Sequence, residues 1–123
     1  GYHNISHHGK DEAKLKQLAE IEIGQMELLN ELLQGLNEVE ETNGTLLDNT
    51  MVLYGCHMGD ANIHNNKNLP VILAGGGFKH GQHLAFSSDN NAPLANLYVN
   101  MLENMGLEQT KFASSTGTLT GLS

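Results

Sequence analysis

From residue 11 to about residue 41, apolar side chains recur at helical spacing: Leu15, Leu18, Ile21, Leu28, Leu29, Leu32, Leu33, Leu36 and Val39, with Glu and Lys filling many of the positions between. The spacing predicts one long amphipathic helix. Gly24 and Gly35 fall on nearly the same face of it. A helical glycine costs about 1 kcal/mol relative to alanine, so the pair is expected to mark a close approach of the helix to a sheet. Asn43-Gly44 is the expected stop, because glycine accepts the left-handed conformation that ends many helices. Two uninterrupted apolar runs follow, residues 50–54 and 69–74, the second closed by Gly75-Gly76-Gly77. Runs of that kind predict strands buried on both faces.

Residues 55–68 between the runs read as a polar loop, and residues 78–89 as a hairpin or surface excursion turning at Gly81. From residue 92 to 105, Leu94, Leu97, Tyr98, Met101, Leu102 and Met105 return to helical spacing, with Pro93 in the first turn and Gly106 as the stop. Residues 114–123 are a Ser/Thr/Gly tail. The order is helix, strand, strand, helix. Two strands buried on both faces leave open edges, so the expected domain, residues 1–123, is a partial one whose upstream part belongs to a larger protein.

Composition narrows the function. The 123 residues, 39% hydrophobic, suffice for one modest core. Six Lys+Arg against fourteen Asp+Glu give a formal charge of -8, which repels a phosphate backbone and sets nucleic acid aside. No apolar run approaches the ~20 residues that cross a bilayer, so membrane insertion is not expected, and residues 1–10 lack the apolar core of a signal peptide. Cys56, the only cysteine, precludes an internal disulfide and leaves the compartment open.

Seven histidines stand out: His3, His7 and His8 at one end, His80 and His83 later, His57 and His64 between. His3 and His7, four apart, would put two imidazoles on one side of a helical turn, a spacing that suits a zinc-like ion. The same stretch also reads as an exposed polar segment or the remnant of a tag. His57, Asp60 and His64 follow the first strand, where open α/β sheets bind ligands, although Asn, Asp and Gly also make an ordinary loop. Cys56 reads as a small buried hydrophobe in preference to a soft ligand, and Ser6 as a residue that orients a histidine or caps a turn. His80 and His83 beside Lys79 read as a solvated loop. No Lys-Ser/Thr follows the three glycines, so they are not a nucleotide loop.

His3-x-x-Ser6-His7-His8 matches the hallmark of the HXXSHH-motif proteins, a bacterial family of uncharacterised function. The stretches 45–55, 58–62, His64, 68–75 and 93–98 also look like that family's C-terminal half, so the resemblance spans essentially all of the chain. The family in turn resembles the alkaline phosphatase, sulfatase and phosphoglycerate mutase superfamily. The resemblance implies an α/β fold, the C-terminal part of an alkaline-phosphatase-like, mainly parallel sheet flanked by helices. It further implies a divalent metal site of one or two ions held by His3, His7, His57, Asp60 and His64, with His8 as a proton-transfer group. Histidine stands at position 3, and Cys56-His57-Met58 at the second element, where the superfamily carries Asp and Asp-His. Neutral imidazoles leave a cation more net charge, favouring zinc-like ions and anionic ligands. The implied activity is hydrolysis of phosphate or sulfate esters in the periplasm or cell envelope, with the nucleophile upstream of the motif. The implied partners are an anionic small-molecule ester and the remainder of the parent protein. The alternative is a non-catalytic, metal-stabilised or ligand-binding scaffold in an exported complex.

Overall fold

A computed structural model describes residues 1–122; Ser123, the last residue of the expected tail, lies outside the described residues. In chain order the elements are α1 (Tyr2–Ser6), α2 (Glu12–Asn37), β1 (Glu40–Glu41), β2 (Gly44–Thr45), β3 (Val52–Gly55), a 3-10 turn (Ala61–Ile63), β4 (Val71–Ala74) and α3 (Ala95–Asn104).

The long helix forms as its periodicity requires. Asp11 caps it by accepting the Lys14 backbone N–H at 2.9 Å, satisfying one of the amides a helix start leaves free. It ends at Asn37, before the expected stop, because Glu40 and Glu41 pair antiparallel with Thr45 and Gly44. Asn43-Gly44 therefore belongs to the turn of a small ribbon and not to the helix end. The Asp48 carboxylate holds that ribbon by accepting the Thr45 N–H at 2.7 Å and the Thr45 hydroxyl at 2.9 Å. Leu46 N and Leu47 N then donate to the Val39 and Leu36 carbonyls, folding the ribbon back onto the last helical turn.

Leu18, Ile21, Leu29, Leu33 and Leu36 form a half-buried stripe along α2, and the Tyr54 hydroxyl reaches Gln25 Oε1 at 2.9 Å. Every residue of the helix retains some exposure, with Ile23 at 59% and Leu28 at 67%. The close approach expected at Gly24 and Gly35 is not made: a Cβ at either would have no neighbour within 4 Å.

The expected mainly parallel, helix-flanked sheet is not what forms. β3 and β4 pair antiparallel, with Val52 opposite Ala74 and Gly55 opposite Val71. The architecture is α+β: three helices and two separate two-stranded antiparallel sheets among the described residues. Parallel pairing needs a crossover of a dozen or more residues, usually a helix. Here the connection doubles back through an Asp60–Asn65 bridge and a single 3-10 turn, so β4 begins at the end of the ribbon where β3 leaves. The strands are half-buried, not enclosed, and Ile72 is exposed. Gly75 lets the chain leave β4: its φ is +70°, and a Cβ would collide with the Thr50 and Leu47 carbonyl oxygens.

The core lies on α3, where Val99 is fully buried and Ala95 and Leu97 nearly so. The helix starts after Pro93, and Gly106 follows its end at φ +79°, as expected. Asn96, Asn100 and Asn104, one turn apart, each bind backbone. Asn96 Oδ1 accepts Thr116 N at 2.8 Å; Asn100 accepts Leu119 N at 2.7 Å and donates to Leu119 O at 3.1 Å; Asn104 donates to Gly76 O at 2.6 Å. The Ser/Thr/Gly tail is thereby fastened along α3. Residues 78–89 are an excursion without strands, tied to the tail by Lys79 N donating to Leu122 O at 2.9 Å. No helix among the described residues is long and apolar enough to cross a membrane.

Candidate metal centre

α1 is a single turn and a half whose role is placement. His7 N donates to the His3 carbonyl at 3.2 Å, and the buried Ser6 donates its hydroxyl to the same carbonyl at 2.9 Å. Ser6 thus closes the turn. His3 and His7 come onto one side, their rings meeting edge to face with centroids 4.6 Å apart. Lys14 Nζ donates to the His7 carbonyl at 3.4 Å, joining this turn to the start of α2.

The third ring arrives from the loop after β3. Asp60 Oδ1 accepts Asn62 N at 2.9 Å and opens the 3-10 turn, while Asn62 Oδ1 accepts Gly9 N at 2.8 Å and pins the loop against the segment leaving α1. His64 ends the 3-10 turn in the left-handed conformation, φ 52° and ψ 37°, which a non-glycine residue adopts only where its surroundings hold it. Its ring packs edge to face on His7 with centroids 4.7 Å apart. Gly59 lets the loop close, because a Cβ there would run into the Lys67 carbonyl oxygen.

His7 is therefore the central, half-buried member of a histidine triad, with His3 and His64 exposed on either side. The remaining expected groups are elsewhere. His57 is exposed beyond the end of β3 and does not join the ring cluster, and the exposed Asp60 is occupied as a cap. His8 Nδ1 accepts Lys10 N at 3.0 Å. Cys56 is exposed, contrary to the expectation of a buried hydrophobe, because β3 ends at Gly55 and the chain there has left the sheet. It lies close to Tyr2, whose phenol is held above its ordinary pKa by burial and then by Glu22, Cys56 and Tyr54. His83 is exposed, and His80 Nε2 meets the Gly75 carbonyl at 2.9 Å, fastening the turn after β4.

Among the described residues no group of three or more His, Cys, Asp and Glu side chains is arranged to hold a metal ion. The triad's rings touch edge to face. Its donor chemistry nevertheless fits a zinc-like ion, for which three histidines with an open fourth position are an established set. Imidazoles sharing one tetrahedral ion at ~2.1 Å would have all three ring centres ~5 Å from one another; the contacts here, 4.6 and 4.7 Å, are both made by His7. Asn62 is the residue that sequence reasoning missed; an Asn beside a capping Asp is the only signal for it, and an ordinary loop shows the same. Compared with protein-family models, with curated proteins and with solved structures, the chain matches none.

Proposed function

We propose that His3, His7 and His64 bind a divalent, zinc-like cation, and that this centre serves the hydrolysis of phosphate or sulfate esters. One observation carries the reading: imidazoles from two distant segments meet, and the outer two are open to solvent. Three histidines with an accessible side are the pattern of catalytic zinc, whereas structural zinc is enclosed by four protein ligands.

Three neutral ligands leave the cation's charge uncompensated. That charge reconciles a chain of formal charge -8 with an anionic ester, since a bound cation dominates its local field. The cation's contribution is to polarise the ester oxygen and to stabilise negative charge. His57 and Asp60, in the loop that presents His64, are the candidates for a second ion, and His8 is the proton-transfer candidate. The ester class rests on the resemblance to the HXXSHH-motif and alkaline phosphatase proteins, as do the nucleophile outside these residues and a periplasmic or envelope location.

The engagement of Asp60 as a cap and of His8 with Lys10 favours a second reading, in which the ion only ties α1 to the loop of a non-catalytic scaffold. Metal analysis and zinc titration of wild type, His7→Ala and His64→Ala test the centre. Stoichiometric metal that is lost in both variants supports it, and no bound metal under replete conditions refutes it. Turnover of aryl phosphates or sulfates by the metal-loaded parent protein then separates hydrolase from scaffold.

A further inference from the structure

A cavity of about 700 Å³ opens between β4, the 82–94 segment and the start of α3, within the ~300–1,000 Å³ range of ligand sites. Phe86, Leu94 and Leu97 give it apolar walls, and Leu119 and Leu122 of the fastened tail line it as well. Lys67 and Asp89, the formally charged residues of the lining, offset each other. The recess therefore suits an uncharged occupant.

Val71, Ile72 and Leu73 of β4 all line the cavity, one after another. Successive side chains of a strand point to opposite faces, so a recess on one face would meet every second residue. A recess that meets each residue in turn runs along the edge of the strand. Among the described residues, the backbone of residues 71–73 pairs with β3 alone. On the other side, alternate residues of β4 turn an N–H and a C=O outward without a partner.

That open edge decides the class of ligand. A purely apolar molecule would fill the walls but shield the outward amides of β4 from water, leaving them unpaired at a cost. An extended peptide brings donors and acceptors at the strand's own spacing, and its alternate side chains can enter the apolar recess. We infer that β4 takes an uncharged, extended segment of a partner polypeptide as a third strand, its alternate apolar side chains seated in the cavity. The four residues of β4 set the paired length at about four residues. This site is separate from the histidine triad and needs no metal.

The test uses the full chain without added zinc and, as probe, an acetylated and amidated pentapeptide alternating valine with threonine, with affinities measured by calorimetry. Two analogues are N-methylated on alternate nitrogens, one on the odd and one on the even positions. Only one set of N–H groups faces β4, so one analogue is expected to bind about tenfold more weakly or worse and the other to match the parent peptide. Phe86 is 42% exposed, so Phe86→Ser is expected to keep the fold, which circular dichroism checks, and to weaken the parent peptide severalfold. No binding of the parent peptide at millimolar concentration overturns the inference. Equal affinities of the two analogues overturn it too, because pairing with an edge must tell them apart. Binding that ignores Phe86→Ser in a folded variant puts the peptide outside the cavity and likewise overturns it.

Discussion

The imidazole of His64 rests edge to face on that of His7, ring centres 4.7 Å apart, although one belongs to a loop between strands and the other to the first turn of the chain. The contact depends on three local devices: the Ser6 hydroxyl closing the α1 turn, the Asp60 cap, and the Asn62 to Gly9 bond. Because His7 touches both other rings, it is the member whose loss dissolves the triad.

Zinc affinity is accordingly expected to fall most in His7→Ala, by more than the roughly 10–100-fold that follows loss of an outer supporting contact. Asn62→Ala should produce a loss of about that supporting size while leaving all three ligands present. Zinc titrations of the two variants check the order; equal losses would mean that Asn62 does not position His64.

Two glycine substitutions should act in opposite directions. Gly24→Ala meets nothing within 4 Å inside a helix and is expected to stabilise by about 1 kcal/mol. Gly75→Ala places a Cβ against two carbonyl oxygens at φ +70° and is expected to cost about 2 kcal/mol or more. Denaturant titration of both variants against wild type reads the signs.

Removing the amide of Asn100 strands both backbone groups of Leu119. Asn100→Ala is expected to cost about 1–3 kcal/mol. The Leu119 amide should lose hydrogen-exchange protection, and the tail should become cleavable in limited proteolysis. Unchanged exchange at Leu119 would show that the remaining tail bonds suffice.

The Thr45 backbone N–H, and then its hydroxyl, hold the Asp48 carboxyl below the ordinary carboxylate value. A folded pKa below the unfolded one adds stability above about pH 4, and that contribution disappears as pH falls through the folded value. Asp48→Asn should therefore flatten the acid limb of a stability profile while differing least from wild type at the lowest pH. Superimposable profiles would show that the ribbon contributes nothing to pH dependence.

How far each feature could be read from the chain depended on how local its cause was. The α2 helix, the stop at Gly106 and the pairing of His3 with His7 were legible, because each arises within a few residues: a 3.6-residue period, a left-handed glycine, an i to i+4 spacing. The apolar runs that became β3 and β4 were also legible, but the direction of their pairing was not. An apolar run carries no mark of its neighbour's orientation, and the 56–70 connection, long enough for either direction, decided it by bending back at the Asp60–Asn65 bridge instead of forming a crossover helix. Asn43-Gly44 was misread for a related reason, since the same dipeptide serves a helix end and a ribbon turn, and only the Glu41–Gly44 pairing chose between them.

By itself the sequence determined the long amphipathic helix, the two strand segments, the acidic net charge, and the histidine pair on the first turn. Tertiary structure alone decided that the strands run antiparallel, that His64 completes the triad while His57 does not, and that a polar tail is bound to α3 by a ladder of asparagines. The reason is the range of the forces. Periodicity and net charge are properties of the chain as written. Contacts between distant residues exist only once the loops have closed and their entropy has been offset by burial and hydrogen bonds formed elsewhere.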